Sequence, residues 1–124
     1  MIWDKRTEDK YSNDFADCEM AWNSFDKPSK IYRYLWSGML QGNMKNKEKR
    51  IHPTQKPVKL YEYCLIKYAE VGFKILDTHR GSASLDIACH NLGFDLWTCD
   101  TDLEYFENGN KRLKEHQSQI RMFA

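Results

Sequence analysis

Three short segments carry side chains whose types and spacing suit the binding of a nucleotide-like ligand. The first is Asp77-Thr78-His79-Arg80-Gly81-Ser82-Ala83-Ser84, a turn leading from an expected strand into an expected helix. Gly81 lets the backbone come close to a ligand. The small residues after it leave the first amides of the next helix uncovered, where an anion or carboxylate is favoured. The second is Asp100, at the carboxyl end of the following expected strand, where an acid is spaced to accept hydrogen bonds from two ribose hydroxyls. The third is His52-Pro53-Thr54-Gln55-Lys56-Pro57, just before a helix. Its prolines stiffen the segment, and Lys56 is available to pair with a ligand carboxylate.

The elements that must position these segments follow from periodicity. Tyr61, Cys64, Leu65 and Tyr68 recur at helical spacing with Lys59, Glu62, Lys67 and Glu70 opposite, so residues 57–70 are predicted as an amphipathic helix. Pro57 stands as its first residue and Gly72 ends it. Residues 73–77 form a strand. Ser82 caps a second helix striped by Leu85, Ala88, Cys89 and Leu92 and closed by Gly93. Residues 94–99 alternate as a second strand, and Asp100-Thr101-Asp102 opens a third helix to about residue 117, with Phe106, Gly109 and Leu113 inward. Gln119–Phe123 alternates like an edge strand. Strand, helix, strand at this spacing is a right-handed βαβ unit with parallel strands.

The first third is less periodic. Lys30–Trp36 is rich in β-formers and reads as a strand, and residues 37–56 as a long loop. Residues 1–29 fit either a helix around Phe15–Phe25 or irregular chain. Taken singly, the three ligand segments also have bland explanations: a glycine turn is ordinary punctuation, an acid after a strand is often a helix cap, and Pro57 marks a helix start. Asp102 is already there to cap. All three in order are harder to dismiss.

Composition bounds the rest. The 124 residues are 41% hydrophobic and 30% charged, enough for a single domain with a core: a polar, loop-rich part over 1–50 and a ligand-binding part over 51–124. The formal net charge of +1 gives no overall field for nucleic acid, so any such contact is local. Acids crowd residues 1–28, whereas Lys45, Lys47, Lys49, Arg50, Lys56 and Lys59 face Glu48 alone across residues 41–60. With no export signal or membrane-length apolar run, the expected location is cytoplasmic, and Cys18, Cys64, Cys89 and Cys99 are expected as reduced thiols.

His52-Pro53-Thr54-Gln55-Lys56-Pro57 followed by Ile75-Leu76-Asp77-Thr78-His79-Arg80-Gly81-Ser82-Ala83-Ser84 resembles the S-adenosylmethionine-binding half of the DNA N-4/N-6 methyltransferases. The similarity covers about residues 50–115, through Asp100, Tyr105 and Asn110-Lys111-Arg112-Leu113, and is weaker around Tyr34-Leu35-Trp36. It implies an α/β fold, a partial Rossmann-like S-adenosylmethionine-dependent methyltransferase fold with a mainly parallel sheet flanked by helices. It also implies that His52, Thr54 and Lys56 lie near the methionine end of the cofactor, and that Asp77, Gly81, Ser82 and Ser84 form the cofactor loop. Asp100 would take the ribose, with Thr101 near the adenine.

The departures are specific. Thr78-His79 replaces the family's usual Pro-Phe, and Ala83 its second loop glycine. The family holds the target amine with an (Asp/Asn/Ser)-Pro-Pro-(Tyr/Phe) segment and stacks the flipped base on its aromatic. Here Pro28, Pro53 and Pro57 are the only prolines, so that tetrapeptide is absent. The strands available are too few for the family's sheet, which would leave an open edge and an uncovered apolar face; a homodimer or a partner chain is expected to complete it.

Lys45, Lys47, Lys49 and Arg50 are candidates for DNA phosphate contact, against a plain solvated loop. Trp3, Tyr11, Trp22, Tyr32, Tyr34 and Trp36 are candidates for base stacking, against core or interface. His79, Cys89, His90 and Cys99 suggest no metal site, because Cys89 lies on the apolar stripe and His90 points off it. The expected function is that of an S-adenosylmethionine-dependent DNA methyltransferase acting on adenine N6 or cytosine N4, or a cofactor-binding fragment of one that is inactive alone. The alternative is a catalytically dead, self-associating module that keeps the fold without the cofactor. A different small-molecule transferase on the same half-fold also stays open.

Overall fold

The computed structural model describes residues 1–8 and 14–122, with the side chains of 120–122 left aside. The chain divides into two compact units, Met1–Glu48 and Lys49–Ala124. Among the described residues no helix is long and apolar enough to cross a membrane.

In the first unit, β1 (Ile2–Asp4) lies between β2 (Cys18–Met20), antiparallel to it, and β3 (Ile31–Arg33), parallel to it. Three-residue strands carry too little pattern to be read locally. β1 is fixed instead by Trp3, whose buried indole donates to the Tyr34 carbonyl at 3.1 Å. The helix considered around Phe15–Phe25 is absent from the described residues of that segment, which hold β2. The strand expected over 30–36 splits into β3 and β4 (Trp36–Ser37), and β4 forms a hairpin with β5 (Leu40–Gln41) inside what reads as loop. Buried Gln41 holds the following turn: its amide donates to the Glu48 carbonyl at 3.0 Å and accepts the Glu48 amide at 2.8 Å. Of the candidate stacking aromatics, Trp3 and Trp36 are buried core, Tyr32 and Tyr34 lie parallel 6.3 Å apart, and Trp22 is exposed. Tyr11 falls outside the described residues.

The second unit contains the predicted βαβ core. Helix α1 (Val58–Tyr68) leads to β6 (Lys74–Asp77), α2 (Ser84–Leu92), β7 (Asp95–Thr98) and α3 (Leu103–Met122). β6 and β7 pair in parallel, Ile75 beside Leu96 and Asp77 beside Thr98. Leu65, Ala88 and Cys89 form the centre of the core, with Val58, Tyr61, Ile75, Leu85, Phe94 and Leu96 packed around them. Helices α1 and α2 therefore cover one face of the strand pair. On the other face Leu76 is 70% exposed and Trp97 55%, with the Lys74 ammonium 5.6 Å from the Trp97 ring centre. The uncovered apolar face expected from the sequence is present.

Several boundaries differ from expectation. Pro57 is the cap of α1 rather than its first residue, because its ψ of 146° is extended. The helix ends at Tyr68, and Gly72 serves the turn beyond it with φ +88°. Ser82 does not cap α2; Ala83 occupies that position in the left-handed region and offers no side-chain hydrogen bond. Within α2, Ile87 is buried while Leu92 is 38% exposed, because this helix is enclosed by α3 as well as by α1. The alternation at Gln119–Phe123 is not a strand: α3 runs through Met122, with no glycine or proline after Gly109 to stop it. Phe123 lies outside the described residues.

Candidate functional site

The cavity sits at the carboxyl ends of β6 and β7, where open parallel sheets bind ligands. Its volume is about 570 Å³, within the ordinary range for small-molecule sites. His52, Thr54, Lys56, Asp77, Gly81, Ser82, Ser84 and Asp100 all line it, so the structure brings together every residue expected to hold the cofactor. Thr101 lines it too, as do Gln55, Tyr61, Thr78, His79 and Arg80.

The turn after β6 owes its shape to backbone and carboxylate bonds. Asp77 Oδ1 accepts the His79 amide at 2.9 Å, and the Thr78 hydroxyl lies 2.9 Å from His79 Nδ1. The sheet ladder continues past β7: the Cys99 amide donates to the Asp77 carbonyl, and the Arg80 amide to the Cys99 carbonyl. Gly81 then turns with φ +54°, a conformation that glycine adopts without strain. Its amide is not left open for an anion; it donates to Asp100 Oδ2 at 2.8 Å.

Asp100 Oδ1 accepts the Asp102 amide at 2.9 Å. These two backbone donors, Asp102 first, hold the Asp100 carboxyl below its ordinary range, so it is an anion at neutral pH. A carboxylate offers about four acceptor positions, so Asp100 keeps acceptor capacity for a ligand hydroxyl beside these amides. Capping of α3 falls to Asp102, whose Oδ1 accepts the Tyr105 amide at 2.9 Å. That division of labour frees Asp100 for the cavity.

The opposite wall is the segment before α1. Buried Gln55 shapes it, donating to the Lys49 carbonyl at 3.2 Å and accepting the Ile51 amide at 2.8 Å. His52 Nδ1 accepts the Thr54 amide at 3.2 Å, which directs Nε2 toward the Gly81 side, 3.7 Å from where a Cβ on Gly81 would stand. The imidazole rests against Tyr105, ring centres 4.3 Å apart.

Ser82 and Ser84 line the cavity, but their hydroxyls turn inward, 3.1 Å from each other and within reach of Arg112. Nothing in the sequence pattern marks Arg80, whose guanidinium is buried behind the loop. Lys45 and Lys47 are exposed in the first unit and Lys49 and Arg50 in the second. Among the described residues, no group of three or more His, Cys, Asp or Glu side chains is placed to hold a metal.

A parallel strand pair covered by helices, with a glycine turn after one strand and an acid after the next, defines a Rossmann-like α/β ligand-binding class. Within that class, the chain belongs to the N6/N4 DNA methylase family, whose model matches residues 3–111. It is 37% identical to the type II methyltransferase M.HpaI of Haemophilus parainfluenzae over 68 residues, 55% of this chain and 22% of that protein. It is 27% identical to the type II methyltransferase M2.DpnII of Streptococcus pneumoniae over 114 residues, 92% of this chain and 41% of that protein. Among solved structures, the M1.HpyAVI–SAM complex superimposes with a TM-score of 0.50 at 32% identity, covering 72% of this chain and 42% of that one. The chain thus spans less than half the length of each of these relatives.

Proposed function

We propose that this chain is the S-adenosylmethionine-binding portion of a DNA amino-methyltransferase acting on adenine N6 or cytosine N4. The supporting observation is the convergence of the eight cofactor candidates on one cavity, with the Asp100 carboxylate fixed against Gly81. Bound there, the cofactor would supply a sulfonium methyl group for transfer to the target amine. Asp100 binds the ribose hydroxyls. Lys56 and His52 take the amino-acid end, Lys56 by pairing with its carboxylate.

The segment that holds the target amine in this family has no counterpart among these residues, whose prolines are Pro28, Pro53 and Pro57. It would come from polypeptide outside the 124 residues, and the open apolar face at Leu76 and Trp97 favours completion by a second copy or a partner chain. Lys45, Lys47, Lys49 and Arg50 would meet DNA phosphates, in a protein working in the cytoplasm.

The test is calorimetric titration of the chain with S-adenosylhomocysteine, followed by a methyl-transfer assay on duplex DNA. Binding with a dissociation constant on the order of micromolar is expected, without transfer by the chain alone. Transfer by the chain alone would overturn the assignment of the catalytic segment to other polypeptide. No binding by the folded chain would favour the alternative module without cofactor, which the left-handed Ala83 at the site of a family glycine would then explain.

A further inference from the structure

We infer that Arg80 and Arg112 are positioning residues that together mould the loop 80–84 onto α3, with Arg112 setting the path of the chain on the far side of Gly81; this rests on the cofactor reading above. The loop takes an unusual route. Gly81 and Ala83 are both left-handed, φ +54° and +63°, with Ser82 between them. A non-glycine residue is strained in that region, so its surroundings must hold it there.

Two arginines supply the hold from opposite directions. Arg80 belongs to the loop and reaches into the protein. Its Nε and Nη2 donate to Asp86 Oδ2 at 3.0 and 2.7 Å, and its Nη1 donates to the Phe106 carbonyl at 3.1 Å and to Asn110 Oδ1 at 2.7 Å. The guanidinium also lies 4.6 Å from the Phe106 ring centre. Arg112 belongs to α3 and reaches toward the loop. Its Nη1 donates to the Ser82 carbonyl at 2.9 Å and to Ser84 Oγ at 2.8 Å, with Ser82 Oγ at 3.3 Å.

The chain on each side of Gly81 is therefore tied to α3, through the Arg80 side chain (which also binds Asp86 of α2) on one side and the Ser82 carbonyl on the other, while Gly81 itself is tied to Asp100. All three Arg112 contacts are made by the one nitrogen Nη1, the two shorter ones to the Ser82 carbonyl and Ser84 Oγ. A lysine ammonium keeps the charge but ends a shorter, flexible stem, so it recovers them only in part. Neither arginine needs to touch a ligand for this. Each acts through the backbone that does.

The experiment measures S-adenosylhomocysteine affinity by calorimetry for the unaltered chain, Arg112→Met and Arg112→Lys, well below each unfolding midpoint. Amide hydrogen exchange at Gly81–Ser84 and at Leu65–Tyr68 in α1 is measured on the same samples. A variant that stays folded loses no affinity through global stability, so a purely structural arginine would lower the midpoint and leave affinity unchanged. The expected result is about tenfold weaker binding in Arg112→Met, with faster exchange confined to the loop and partial recovery in Arg112→Lys. Unchanged affinity and unchanged loop exchange in Arg112→Met would overturn the inference while leaving the cofactor reading in place. If the unaltered chain binds no S-adenosylhomocysteine, that reading fails and exchange alone decides: loosening confined to the loop upholds the brace, unchanged exchange overturns it. Should Arg112→Met not fold, Ser84→Ala removes one acceptor from the loop side and is expected to weaken binding by about threefold, with no change counting against the inference.

Discussion

Asp100 Oδ2 accepts the Gly81 amide at 2.8 Å while its Oδ1 accepts the Asp102 amide at 2.9 Å. One carboxylate thereby ties the loop after β6 to the approach to α3. The residue proposed to bind the ribose also sets the turn across which the rest of the ligand would lie. Removing it changes two things at once, and the choice of substitution separates them.

Asp100→Ala is expected to weaken S-adenosylhomocysteine binding on the order of a hundredfold, through loss of ligand bonds and of the Gly81 tether. Asp100→Asn keeps an acceptor oxygen for one amide and should lose less. Because the folded Asp100 pKa is depressed, its stabilising bonds are present above the unfolded value near 3.8 and are lost as pH falls through the lower folded value. Affinity measured from pH 8 down to about pH 5 should therefore show no contribution from Asp100 titration. A steep loss in that range that disappears in Asp100→Asn would contradict the assignment.

The four free thiols should separate by burial. Cys18 and Cys99 are exposed, whereas burial pushes the Cys64 thiol up. Burial, with Asp86 and Asp77 nearby, pushes Cys89 up to about 11. Because the thiolate is the reactive form, a disulfide reagent at about pH 8 should modify Cys18 and Cys99 first and Cys64 slowly. Cys89 should react only on unfolding. Equal rates for Cys89 and Cys99 would show that α2 is not packed as described.

What the sequence displays and what it conceals divide along the range of the interactions. The closure of α2 at Gly93 and the cap at Asp102 are decided within a few residues and are found where the pattern places them. The α1 stripe is met only in part: Leu65 is buried and Tyr61 packs on the core, but Leu60, outside the stripe, is as buried as Leu65. The cofactor candidates that line the cavity were also legible, but only as three segments in order, since a glycine turn, an acid after a strand and a proline before a helix each have ordinary structural uses. Arg80 was not. A charged side chain in a turn reads as solvated, yet Asp86, Phe106 and Asn110 converge to bury this one. Gln41 and Gln55 escape notice for the same reason, since a buried amide that closes a loop leaves no periodic signal. The strands of the first unit are too short to show alternation; Trp3, in the middle of β1, pairs with residues distant in sequence on β2 and β3 and reaches the Tyr34 carbonyl with its indole.

A pH effect is expected at the end of α3. His116 Nε2 lies 2.7 Å from Asn91 Oδ1, while the Asn91 amide donates to Glu62 at 2.9 Å and Glu62 pairs with Lys59. Burial, then His90 and Arg112, lower the His116 pKa, opposed by Glu62. The unfolded chain therefore binds this proton more readily than the folded one, and stability falls as pH drops below about 6.5 toward the folded value. Glu62, whose own pKa is lowered with Lys59 and Asn91 as its partners against the raising effect of burial, adds a loss only at lower pH. The unfolding midpoint should be lower at pH 5.5 than at pH 7.5, and His116→Gln should flatten that difference. An unaltered slope in the variant would assign the effect elsewhere.

Gly109 and Ala83 should be energetically coupled, because they meet where α3 crosses the loop. A Cβ added at Gly109 would stand 3.1 Å from the Ala83 Cβ and 3.4 Å from Arg80 Cζ. Ala83 is fully buried and left-handed, held by the hydrogen bonds on either side of it, so it has little room to retreat. Alanine in place of a helical glycine ordinarily gains about 1 kcal/mol, whereas crowding a packed core costs roughly 1–3 kcal/mol. Gly109→Ala is therefore expected to lower the unfolding midpoint of the otherwise unaltered chain. In an Ala83→Gly background the opposing methyl is gone, leaving the Arg80 contact as the nearest neighbour, and the same substitution should become neutral or stabilising. Denaturant unfolding of the two single variants and the double variant measures this coupling. Additive effects would mean that the loop yields freely at Ala83, and that α3 does not define its path there.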